Sequence, residues 1–87
     1  MRNFIVKNDK TITFSLGKEK ELGDREILIS VYDSLLEKGY DPVNQIVGYL
    51  ISGDPIYITT HKNARNLIYK IDRDDLLKIL VRYYIFG

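Results

Sequence analysis

His61 is the single histidine of the 87-residue chain, and cysteine is absent. No catalytic triad or histidine pair can be built within one chain, and disulfides, thiolate catalysis and cysteine-ligated zinc are excluded together. His61 reads instead as a helix-start residue, capping or facing solvent. Asp72, Asp74 and Asp75 do not fit a calcium loop, which needs oxygen ligands at alternating positions around a glycine turn. With Arg73 inside the set, they read as the start of a helix capped by Asp72, Asp75 completing a short capping box. Asp41 and Asp54 each precede a proline and read as a cap and a turn residue, not a catalytic carboxylate pair. With no nucleophile, base and orienting group that can be placed together, the expectation is a non-enzymatic protein that uses no cofactor.

Two other groups of residues could carry chemistry. Lys62, Asn63, Arg65, Asn66 and Arg73 could present a polar, basic face with donors suited to base edges. However, the connection between the second and third helices is longer than that of a helix-turn-helix. The charge is also balanced, with 13 basic and 12 acidic residues for a net +1. A solvated face, or hydrogen bonds from these Asn and Arg side chains to the Gly53-Asp54-Pro55 turn, is the favoured reading, and a nucleic-acid-binding module on the Lys62 to Arg73 face is the alternative. Thr11 and Thr13, beside Lys10 and just before Phe14, offer hydroxyls to a kinase. A phosphate there would add roughly −1.5 to −2 charge.

The elements that position these residues follow from periodicity. Residues 1–23 alternate in places (Phe4 and Val6; Ile12, Phe14 and Leu16), which suggests a mobile or short-β N-terminal arm. Residues 24–87 form the helical part. A first helix over 24–38 starts at Asp24 as N-cap, carries Leu28, Val31, Tyr32, Leu35 and Leu36 at helical spacing, and stops at Gly39. A second starts at Pro42 behind the Asp41 cap, carries Val43, Ile46, Val47, Leu50 and Ile51, and ends at Gly53. Gly48 in its middle costs about 1 kcal/mol relative to alanine, which implies a close neighbour such as a backbone or an aromatic ring. The β-branched and aromatic run Ile56-Tyr57-Ile58-Thr59 reads as extended. Thr59, Thr60, His61 and Asn63 offer caps for a third helix over 62–71, with Ala64, Leu67, Ile68 and Ile71 inward. A fourth runs from Arg73 nearly to the end.

The apolar stripe of the fourth helix, Leu76, Leu77, Leu80, Val81, Tyr84 and Ile85, is broad enough to be buried on two sides, by its own fold and by a partner. Seven tyrosines, a type enriched at interfaces, agree with that. The expected architecture is mostly α, a compact four-helix homodimeric domain. Ile46, Gly48, Tyr49, Leu50, Tyr57, Leu77, Leu80, Val81 and Tyr84 form its core or dimer interface. No apolar run is long enough to span a bilayer and residues 1–10 hold no apolar signal segment, so a cytoplasmic location without membrane insertion is expected.

The blocks Gly39-Tyr40-x-Pro42-x-Asn44-Gln45-Ile46-Val47-Gly48-Tyr49, Ser52-Gly53-Asp54-Pro55-x-Tyr57-Ile58 and Asn63-Ala64-Arg65-Asn66 sit upstream of Asp72-Arg73-Asp74 and the ending Leu80-Val81-Arg82-Tyr83-Tyr84. Together they closely resemble the IreB family of small bacterial regulatory phosphoproteins, over roughly residues 11–84. The resemblance implies a cytoplasmic, non-enzymatic, mostly helical homodimer. It further implies a substrate of a membrane Ser/Thr kinase with extracellular PASTA domains, opposed by a cognate phosphatase, in control of cell-envelope stress and cephalosporin resistance. The family's phosphoacceptor lies in a T-x-x-F-x-L context, matched here by Thr11, Phe14 and Leu16, with Thr13 the second choice. The acidic residues that precede that threonine in the family are replaced here by Asn8-Asp9-Lys10.

Overall fold

The computed structural model describes the backbone of residues 9–87 and the side chains from Gly23 onward. Four α-helices, α1 (Asp9–Glu37), α2 (Pro42–Ser52), α3 (Ala64–Ile68) and α4 (Arg73–Phe86), are joined by 3-10 turns at Pro55–Tyr57 and His61–Asn63. No strand occurs among the described residues. Helix α1 is the central element, and both α2 and α3 pack on it. Val31 and Leu35, one helical turn apart on α1, are fully buried against Ile46, Tyr49 and Leu50 of α2, Ala64 and Ile68 of α3, and Ile58, Ile71 and Leu76. Ile58 has no exposed surface, so the link between α2 and α3 is itself part of the core.

Local chemistry sets most of the boundaries. The Asp41 carboxylate accepts the Asn44 N–H at 3.2 Å, with Pro42 at the first helical position of α2. Gly53 closes α2 at φ 73°, its N–H donating to Tyr49 O at 2.7 Å. Ser52 Oγ then donates to Gly48 O and accepts from Asp54 N–H, and Asp54 accepts from Ile56 N–H, so the turn after α2 is stitched through its own side chains. Asp72 caps α4 by accepting the Asp75 N–H at 3.2 Å. Gly39, at φ 83°, turns the chain between α1 and α2.

Four expectations are corrected. Helix α1 is described over Asp9–Glu37, so Asp24 is a buried residue inside it and not its N-cap. Residues 1–8 of the expected arm lie outside the described residues, and the backbone over 9–23, read from its alternation as short-β, is helical and not extended. It holds no proline, and each internal glycine costs only about 1 kcal/mol, too little to stop a helix rich in Lys, Glu and Leu. The run 56–59 is not extended throughout, because Asp54 and Pro55 wind it into a 3-10 turn, leaving Ile58 extended (φ −111°, ψ 125°). The third helix starts at Ala64, not Lys62, because Lys62 and Asn63 adopt left-handed backbone (φ 51° and 64°). Neither Thr60 nor Asn63 makes a side-chain cap there, and Thr59 Oγ1 accepts the His61 N–H instead.

Gly48 has the close neighbour its helix position implied. A Cβ at that site would lie 2.6 Å from both Cδ1 and Cε1 of the Tyr57 ring. Gln45 Nε2 holds the same segment by donating to Tyr57 O at 3.0 Å. The crowding at Gly48 outweighs the helix-propensity gain of a methyl group, so Gly48→Ala is expected to lower stability by about 1 kcal/mol in urea unfolding. Gly23→Ala, where nothing lies within 4 Å of the new Cβ, is expected to raise it by roughly 0.5–1 kcal/mol.

Candidate interaction surface

The last carbonyls of an α-helix have no partner within it, and a cation placed near them is favoured by the helix dipole. At the end of α2 that cation comes from α4. Arg73, the first residue of α4, donates from Nη1 to Leu50 O at 3.1 Å, and its guanidinium lies over the Tyr49 ring at 6.0 Å from the centroid. A Cβ at Gly53 would stand 2.6 Å from Nη2 and 2.7 Å from Cζ, so the glycine both turns the chain and makes room for the guanidinium. Arg73 thus clasps the C-terminus of α2 to the root of α4.

The other members of the polar face are also engaged within the chain. Arg65 Nε donates to Ile58 O at 2.9 Å, and Asn66 Nδ2 to Asn63 Oδ1 at 2.8 Å. His61 Nε2 and Glu37 Oε1 lie 2.8 Å apart, and Lys62 Nζ is 3.2 Å from the same carboxylate. These contacts join residues 24 and 25 positions apart and pin the left-handed turn to the end of α1. The guanidinium groups of Arg65 and Arg73 face carbonyl oxygens of their own chain, so the five residues do not converge on an outward-facing set of donors. Among the described residues no group of three or more His, Cys, Asp or Glu side chains could hold a metal ion.

The outward chemistry is apolar. Beyond Leu76, α4 exposes Leu77, Leu80, Val81, Tyr84, Ile85 and Phe86, with Tyr84 92% exposed. On the neighbouring face, Ile29 and Tyr32 of α1 meet Val43 and Val47 of α2 around a cavity of about 460 Å³ that Leu80 also lines. A second cavity, of about 380 Å³, separates α4 from α1 between Leu28 and Tyr83. Of the residues expected in the core or interface, Ile46, Tyr49 and Leu50 are buried and Gly48 and Tyr57 pack on each other. Leu77, Leu80, Val81 and Tyr84 remain exposed. Contiguous apolar surface of this kind makes α4 and the adjoining groove the candidate interaction surface. The exposure of Tyr32, Leu36, Val43, Val47 and Ile51 could not be read from periodicity, which placed them on the same stripes as the core. The Thr11 and Thr13 side chains lie outside the described residues. No helix among the described residues is long and apolar enough to cross a membrane.

Residues 9–86 match the family model described as the IreB regulatory phosphoprotein. The chain is similar to a UPF0297 protein of Acetivibrio thermocellus, with 52% identity over 80 residues that cover 92% of this chain and 89% of the relative.

The hydrogen bond from His61, and then that from Lys62, hold the Glu37 carboxyl below the usual carboxylate range. The folded-state value is depressed, so the associated stabilisation is present above the ordinary glutamate value and is lost as pH falls through the lowered one. A carbon-detected NMR titration is expected to place the Glu37 midpoint below the ordinary glutamate value. In His61→Ala the midpoint should move up toward it.

Proposed function

Because the chain belongs to the IreB family, we propose that it is a non-enzymatic regulatory phosphoprotein that works as a homodimer and is switched by phosphorylation of Thr11. The regulatory role follows from the family; the single observation that carries the switch is the Thr11-x-x-Phe14-x-Leu16 pattern inside the matched span 9–86. A phosphate of −1.5 to −2 would take the chain from +1 to about −0.5 to −1, reversing the sign of its net charge. Thr13 is the second acceptor. The kinase is a cytoplasm-facing Ser/Thr kinase of the PASTA class, with its cognate phosphatase as the opposing enzyme. The output is the response to cell-envelope stress, including cephalosporin resistance.

The homodimer is supported by the exposed apolar row of α4 beside the α1–α2 groove. Eighty-seven residues bury a limited fraction of their surface, and a row of this size in water is relieved by a second copy. Nucleic-acid binding on the Lys62 to Arg73 face is the poorer reading, since Arg65 and Arg73 donate to Ile58 and Leu50 of their own chain.

Two measurements test this function. Sedimentation equilibrium is expected to give a dimer, and Leu80→Asp, which places a charge in the row, a folded monomer. A wild-type chain that stays monomeric at every concentration removes the homodimer. Incubation with a PASTA-class kinase and ATP is expected to place phosphate on Thr11, with phosphorylation largely lost in Thr11→Ala; unchanged incorporation in that variant transfers the assignment to another residue.

A further inference from the structure

An arginine at the first position of a helix sits at the positive end of its dipole, where its charge contributes nothing favourable to its own helix. Arg73 holds that position in α4 while its guanidinium is turned back to the C-terminal end of α2. Three separate features accommodate it there: the free carbonyl of Leu50, the ring of Tyr49 and the missing side chain of Gly53. Helix α4 is otherwise loosely seated. Leu76 is its one buried residue, Ile79 and Arg73 are half-buried, and a cavity of about 380 Å³ opens between its middle and α1. The direction in which the apolar row leaves the body therefore depends on how the root is held.

We propose that Arg73 is the positioning residue of α4: its guanidinium, locked between Leu50 O, Tyr49 and Gly53, sets the heading of the helix and so the geometry of the apolar face offered to a second copy. The inference rests on the homodimer reading for its consequence, though the heading itself is a property of one chain. A guanidinium is required because one rigid group donates to the carbonyl while its central carbon stays within reach of the tyrosine ring. A lysine ammonium supplies charge at one point and no fixed plane. Methionine keeps a stem of similar length and supplies neither.

The chain has no cysteine, so two spin labels can be placed without removing native thiols. Lys38→Cys at the end of α1 and Arg82→Cys on α4 are exposed and outside the clasp. Labelled chain diluted with excess unlabelled chain reports the distance within one chain. A single narrow distance distribution is expected for wild type, and a broadened one for Arg73→Met and for Arg73→Lys, with far-UV helicity retained. In sedimentation the same variants are expected to raise the dimer dissociation constant by about tenfold or more, the scale of losing a charge-assisted hydrogen bond. A distribution as narrow as wild type in Arg73→Met overturns the proposal. So does full restoration by Arg73→Lys, which would make Arg73 a mere charge at the helix end. Should Arg73→Met fail to fold, the Lys variant decides alone. A monomeric wild type with a heading that still broadens in the variants sinks the homodimer and leaves the positioning role standing.

Discussion

The C-terminus of α2 is the constraint on which the rest of the structure depends. Its last carbonyls lack partners within the helix and lie next to the turn that carries Ile58 into the core. Gly53 N–H takes Tyr49 O and Arg73 takes Leu50 O, while Ser52 Oγ takes Gly48 O. Each of these partners also fixes the next piece of chain. Gly53 begins the turn, Ser52 holds Asp54, and Arg73 brings in α4 from 23 residues away. One helix end thus organises a turn, a buried linker and the root of the last helix, and replacing Ser52 or Arg73 leaves a carbonyl to be resatisfied and an element without its anchor.

The link between α2 and α3 shows a second use of the same economy. Two consecutive left-handed residues, Lys62 and Asn63, each carry a backbone cost of order 1–3 kcal/mol. What holds them is a set of small contacts: Thr59 Oγ1 on the His61 N–H, Glu37 on His61 and Lys62, and Asn66 on Asn63. The ion pairs are half-exposed and individually weak, but they act at the one place where the chain must reverse to lay Ala64 and Ile68 on α1. The burial of Ile58, Ala64 and Ile68, each nearly complete, supplies the larger driving force for keeping the reversal in place.

How much of this was legible depends on the range of the interaction. Asp41, Gly53 and Asp72 were readable as caps, because a cap acts within three or four residues and its residue types are few. Gly48 was readable as a site of close approach, and Tyr57 is the ring that approaches. The start of α1 was not, since a short alternation of Ile12, Phe14 and Leu16 outweighed the helix-forming run that follows, and nothing local forbids one continuous helix. The left-handed pair at Lys62 and Asn63, and the turn of Arg65 and Arg73 toward Ile58 and Leu50, depend on partners 7 to 25 residues away. Proximity of the arginines to the Gly53-Asp54-Pro55 turn was within reach of the sequence, but Leu50 O as the acceptor for Arg73 was not.

The division of the expected interface residues has a physical cause. A helix stripe wider than one neighbour can cover must present part of itself elsewhere. In α2 the stripe splits between Ile46 and Leu50, which meet α1, and Val43 and Val47, which line an open groove. In α4 the split is more extreme, with Leu76 alone buried and the row from Leu77 to Phe86 in solvent. Leu80 lines both cavities, so the exposed row and the α1–α2 groove are one continuous apolar surface. Any molecule that covers the row therefore also meets the groove. The heading of α4, held at its root by the Arg73 guanidinium beside the buried Leu76, places Leu80 at the edge of that groove, which ties the shape of the exposed surface to the satisfaction of a carbonyl at the far end of α2.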